Sequence, residues 1–291
     1  MAGSENSCRP ALDSSDGAAV GFVGQKYGAT IRQQDHESLV ADLLNPAKGY
    51  VIIKGYFSEV EIDTYRNECQ RFLSTGSVCF SRINTQSAPD YVHPRSHDKV
   101  GRTYRIYQYL HNKQSNSTAA FFRKALSLRN DLEQTWVHDP RYRAEKETLQ
   151  NYVVVTKYIS ETGVLPRHRD YVGPAPFPLL QSLVLLSKRP DDYTGGDFHL
   201  YTKEGVGLSL ADDIGATKGD LVVFDKSLEH SVELTRPGTE TAISRWSVIV
   251  GARAKMDSRT KGLTKRWLYG RPFYPYTKPI AKALRLMGLS I

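Results

Sequence analysis

The stretch KYISETGVLPRHRDYVG, residues 157–173, decides the reading of the fold. An apolar, β-branched run leads into it, and it carries His168-Arg169-Asp170. On an extended strand, residues two apart point to the same side. His168 and Asp170 can therefore offer an imidazole nitrogen and a carboxylate oxygen to one ion. Arg169, between them, faces the other side.

Outward from this stretch, the second half of the chain reads as strands: QNYVVVTKYIS, LLQSLVLLS, GDFHLYT, GVGLSL, GDLVVFD and TAISRWSVIV. Turn chemistry separates them at Tyr193-Thr194-Gly195-Gly196, Lys218-Gly219-Asp220 and Arg236-Pro237-Gly238. The first half is mixed. A strand is expected over 49–57, then a capping box at Ser58-Glu59-Val60-Glu61 opening a helix with Ile62, Tyr65, Cys69, Phe72 and Leu73 on one face. Residues 74–100 are polar and Pro-containing and read as a solvated loop, His93 and His97 included. RTYRIYQYL, 102–110, alternates as a strand, and Asn116 or Ser117 can cap a helix over 118–136. Many short strands after a helical first half predict a mainly β, α+β fold, a sandwich or barrel with helices on one side.

The same half supplies a third ligand. In GDLVVFDKSLEHSVELT, His230 follows an apolar strand and lies 62 residues after His168. That spacing suits strands that fold back to bring their edges together. An HxD or a lone His is weak by itself, because most such residues are hydrogen-bonded structural groups. Two His and one carboxylate in this order describe a non-haem Fe(II) site with open positions. Enzymes of that type hold 2-oxoglutarate as co-substrate, and its distal carboxylate needs a forked cation. Arg245, in ISRWSVIV, lies 15 residues after His230, with Ser247 on the same strand face. Arg236 is the alternative anchor.

The block 150–252 resembles the Fe(II)/2-oxoglutarate-dependent dioxygenase superfamily. Its order, KYISETGVLPRHRD, SLVLLS, YTGGDFHLY, KGDLVVFDKSLEHSV and a last strand with a basic residue, is similar to the prolyl-4-hydroxylase-like branch. The resemblance implies a double-stranded β-helix (jelly-roll) core with flanking N-terminal helices. It implies His168, Asp170 and His230 as iron ligands and Tyr158 in the co-substrate pocket. Arg245-Trp246-Ser247 resembles the Arg-x-Ser pair of secondary-metabolism oxygenases, whereas prolyl-hydroxylase-like members carry their basic residue nearer Thr239-Glu240. Glu240 cannot bind a carboxylate, so the departure points to Arg245. Related halogenases have Gly or Ala where Asp170 stands, so the carboxylate implies hydroxylation or a related oxidation, with desaturation, ring closure and oxidative dealkylation open to the same oxidant. The implied reaction consumes 2-oxoglutarate and O2 and releases succinate and CO2.

Composition bounds the rest. The 291 residues carry a net charge of +8 without a basic run interleaved with aromatics, so no nucleic-acid partner is expected. No apolar run is long enough to span a bilayer, and the N-terminus lacks a secretory pattern. Cys8, Cys69 and Cys79 form no paired framework, which suits the cytoplasm. Residues 1–25 read as a poorly ordered tail, 26–254 as one catalytic domain and 255–291 as a basic extension, at most a peripheral membrane contact. The Pro-rich loop YVGPAPFP, 171–178, is expected to form a stiff lip. Arg102, Arg105, Arg167 and His199 are candidate contacts for a small polar or anionic substrate. The competing readings are a protein or peptide hydroxylase, a zinc hydrolase and a non-catalytic jelly-roll binding module.

Overall fold

Two layers of antiparallel strands enclose the site, and helices cover the outer side of the larger layer. The computed structural model describes residues 33–79, 88–97, 101–137, 149–170, 179–239 and 244–254. The expected tail, the basic extension and the 171–178 lip lie outside these residues.

The elements in order are α1 (Gln33–Leu44), β1 (Tyr50–Ile53), α2 (Glu59–Thr75), β2 (Tyr91–His97), β3 (Gly101–Tyr109) and α3 (Asn116–Val137). Then come β4 (Leu149–Tyr158), β5 (Leu165–Arg169), β6 (Leu180–Leu185), β7 (Tyr193–Gly195), β8 (Phe198–Tyr201) and β9 (Gly207–Ser209). β10 (Leu221–Asp225), β11 (Glu229–Val232), β12 (Thr235–Pro237) and β13 (Arg245–Ala254) complete the described chain. The large sheet has the order β1-β10-β6-β13-β4-β3-β2 and the small one β5-β11-β8-β9; β12 and β7 pair separately. This is a jelly-roll core with helices on one flank, as expected.

The burial pattern explains the strands. β6 and β10 are buried at every position, because both of their faces are covered. A strand covered on both sides reads as a continuous apolar run and loses its alternation. One face of the large sheet packs Val153, Val155, Val184, Val223 and Val248 against Ile62, Phe121, Phe122 and Leu132 of the helices. The other packs Leu183, Leu185, Val222 and Phe224 against Phe198, Leu200 and Val232 of the small sheet. Each such side chain contributes roughly 1.5–3 kcal/mol relative to exposure. The frame that holds the site is therefore its two apolar clusters.

Ser58 caps α2, its hydroxyl accepting from the Glu61 N–H while the Glu61 carboxylate accepts from the Ser58 N–H. Several elements differ from expectation. The first strand ends at Ile53, since Gly55 takes a positive φ and turns the chain. Residues 91–97 are a strand, not a loop, and His93 Nδ1 donates to the Cys79 carbonyl, 2.7 Å away. β2 lies at the sheet's edge, where Pro94 and polar side chains are tolerated. Ser115, not Asn116 or Ser117, caps α3, accepting from the Thr118 N–H at 3.1 Å. α1 carries no clear apolar stripe beyond Leu39, Val40 and Leu43 and escaped the reading. The turns at 193–196 and 236–238 contain the short β7–β12 pair.

Candidate active site

β5 and β11 are antiparallel neighbours in a register that sets His168 directly opposite His230. Their ring centroids are 4.3 Å apart. Asp170 follows the last residue of β5, with its carboxylate 3.9 Å from His168 Nε2 and 4.0 Å from His230 Nε2. One ligand atom of each residue lies within 4.8 Å of the others.

The ring orientations suit a metal. His168 Nδ1 lies 2.8 Å from the Pro166 carbonyl and His230 Nδ1 lies 3.3 Å from that of Leu228. A carbonyl can only accept, so it selects the tautomer with the proton on Nδ1 and leaves the Nε2 lone pair free. Both Nε2 atoms are turned to Asp170. Burial holds the His230 imidazole below its usual range; the charge of Asp170 opposes this and His168 adds to it. The Phe198 and Phe224 rings, with centroids 5.5 Å and 5.4 Å from that of His230, fix its plane. Two nitrogens and one carboxylate on one side of an ion fit Fe(II).

Arg245 opens β13 on the inner face of the large sheet. It is 2% exposed, and no carboxylate pairs with it among the described residues. Its Nη1 lies 3.4 Å from Ser247 Oγ, its carbon Cζ lies 4.9 Å from the centroid of the Tyr158 ring, and its Nε is buried without a partner. Tyr193 adds a hydrogen-bonding phenol beside it; burial raises that phenol's pKa and Arg245 lowers it. A buried guanidinium without a counter-charge is costly, so the pocket fits an anion.

The other candidates are dispersed. Arg167 ion-pairs with Glu229 and stacks on Tyr201, 3.8 Å from the ring centre, on the outer face of the small sheet. His199 lies on that face too, 2.8 Å from Glu233, and Arg169 pairs with Glu229. Arg102 is exposed on the helix side of β3, and Arg236 is exposed on β12. Of the four substrate candidates only Arg105 shares the inner face with Arg245.

Sequence reasoning missed a buried charged group beside the candidate metal ligands. Lys226 is close enough to Asp170 to sense its charge, and its amine is pushed down to about 8, first by burial and then by Arg129. Glu133, fully buried on α3, is pushed up to about 7 by burial and accepts from the Leu180 N–H. The one signal was that Arg129 and Glu133 fall within the apolar stripe of α3.

Residues 153–250 match the model of the 2OG-Fe(II) oxygenase superfamily. The matched block, about a third of the chain, is similar to that superfamily. The chain is an oxidoreductase, and the superfamily that this block resembles uses Fe(II), 2-oxoglutarate and O2. The oxygenase core is similar in fold to a prolyl-4-hydroxylase from Pseudomonas putida, at TM-score 0.52 and 14% identity, over 75% of this chain and 98% of that one. It is also similar to a putative oxygenase from Shewanella oneidensis, at TM-score 0.50 and 14% identity, over 75% and 86% of the two chains. No curated protein matches the sequence. No helix among the described residues of this oxygenase is long and apolar enough to cross a membrane.

Proposed function

We propose that His168, Asp170 and His230 hold Fe(II), and that Arg245 with Ser247 holds the distal carboxylate of 2-oxoglutarate beside Tyr158. In this reading the enzyme hydroxylates a C–H bond of a small polar or anionic metabolite or natural-product intermediate. Iron, 2-oxoglutarate and O2 supply the oxidation: one oxygen atom leaves in succinate with CO2 and the other enters the C–H bond. The chain's residues do the positioning. The Pro166 and Leu228 carbonyls orient the two imidazoles. Phe198 and Phe224 keep water from His230, and Asp170 completes the protein's share of the coordination.

The observation that carries the reading is Arg245, a buried guanidinium with no carboxylate partner among the described residues. A zinc hydrolase or a simple binding module has no need of it. Residues 26–254 are read as one catalytic unit, and the free Cys69 and Cys79 suit the cytoplasm. The test is a panel of small metabolites incubated with Fe(II), 2-oxoglutarate and air. Succinate release above the substrate-free rate, with a product heavier by one oxygen atom, supports hydroxylation. A product of unchanged oxygen content contradicts it.

A further inference from the structure

The inner face of the large sheet continues past Arg245. Arg245 lies opposite Tyr158, and Tyr158 opposite Thr103. One row along, Ser247 lies opposite Thr156, and Thr156 opposite Arg105. Directly opposed residues on antiparallel strands point to the same side. Thr103 and Arg105 therefore share the face of the proposed co-substrate anchor. The apolar cluster that joins the two sheets draws on β1, β4, β6 and β10 but contains no β3 residue. Among the described residues, no apolar side chain of β3 joins the small sheet in that cluster.

Among the described residues on this face, Arg245 Nε, Arg105 Nε and Thr103 Oγ1 are buried without a hydrogen-bond partner. Thr103 is 2% exposed and Arg105 is half-buried. Desolvated donors without acceptors cost free energy unless a ligand answers them. One 2-oxoglutarate, with its distal carboxylate on Arg245 and its keto-acid end at the metal, has no carboxylate left for Arg105. The Tyr158 ring also covers Arg245 on the β4 side. With strands about 4.8 Å apart, β3 lies about 10 Å from β13, room for a second small molecule. His93, opposite Arg105 on β2, is already tied to the Cys79 carbonyl, and the stacked Tyr91 and Tyr107 rings close the row beyond.

We propose that Arg105 and Thr103 form a second anion subsite, which binds a carboxylate or phosphate of the substrate to be oxidised. This rests on the reading of Arg245 above. The subsite makes the enzyme selective for anionic substrates over their neutral counterparts. Arg105 supplies the charge and the forked donors, and Thr103 supplies a hydroxyl donor.

The probes are short-chain carboxylic acids and phosphate monoesters, each paired with its primary amide or alcohol. Binding to the Fe(II)- and 2-oxoglutarate-loaded protein is measured anaerobically by calorimetry, and turnover in air by succinate release. Wild type is expected to prefer one anionic class over its neutral mates by about tenfold or more, and whether acids or phosphates win identifies the group. Arg105→Met should erase that preference through KM while leaving 2-oxoglutarate affinity unchanged, which also shows that the variant is folded. Arg105→Lys should restore part of it, and Thr103→Val should lower it by a smaller factor. If wild type binds no 2-oxoglutarate, the co-substrate reading falls and this proposal falls with it. With 2-oxoglutarate bound, three results overturn the subsite alone: no anionic probe binds, Arg105→Met keeps the preference, or Arg105→Met weakens 2-oxoglutarate as Arg245→Gln does.

Discussion

Arg245 and Tyr158 stand directly opposite each other on β13 and β4, with the guanidinium carbon 4.9 Å from the centre of the phenol ring. The ring gives the cation an electron-rich flank but no counter-charge, so the forked donors stay available to a ligand. Arg245→Gln should weaken 2-oxoglutarate binding by about 2 kcal/mol, roughly thirtyfold, while Fe(II) affinity is unchanged. Arg245→Lys keeps the charge but loses the fork and should fall between the two. Anaerobic calorimetry measures both. Equal 2-oxoglutarate affinity in Arg245→Gln would move the anchor elsewhere.

Fe(II) should also stabilise the fold, because only the folded chain brings His168, Asp170 and His230 together. At a hundredfold excess over Kd the gain is about 2.7 kcal/mol. In a domain of this size that raises the melting temperature by about 5–10 °C. His230→Ala and Asp170→Ala should lose the shift, and a chelator should reverse it in the wild type. A shift that survives in both variants would place the metal at another site.

These three candidate ligands were legible because their chemistry and their strand spacing agree. His168 and Asp170 lie two apart, and His230 follows a strongly apolar run. The substrate candidates mixed faces, and strand parity could have sorted them. Arg102 and Arg105 are three apart and so face opposite sides, and Arg167 adjoins His168 and so faces away from it. The edge strand β2 was hidden by Pro94 and polar residues. Tyr193 and Lys226 come beside Arg245 and Asp170 through contacts across the fold, and no local pattern encodes those.

Glu133 gives a pH prediction. Its carboxyl is raised from 4.5 to about 7 in the folded protein, with burial the largest cause. A raised pKa means the folded state binds the proton more tightly. The stability it contributes is complete below pH 4.5 and is lost as pH rises through 7. The shift corresponds to about 3 kcal/mol. Glu133→Gln does not ionise, so its melting temperature should gain on wild type between pH 5 and about 8. Parallel curves over that range would show that Glu133 keeps an ordinary pKa.

Ser58 tests the scaffold apart from the chemistry. Its hydroxyl and the Glu61 carboxylate satisfy two donors at the start of α2. Ser58→Ala should cost about 1 kcal/mol in urea unfolding. The affinities for Fe(II) and 2-oxoglutarate should not change, because α2 packs on the opposite side of the large sheet from Arg245.

The most direct test of the central claim is the anaerobic visible spectrum of the purified protein with Fe(II) and 2-oxoglutarate. The proposed site predicts a weak charge-transfer band that needs both components, saturates with 2-oxoglutarate and is lost in His230→Ala. A folded wild-type protein that binds Fe(II) yet gives no such band, or a band that persists in His230→Ala, would contradict the assignment of the site.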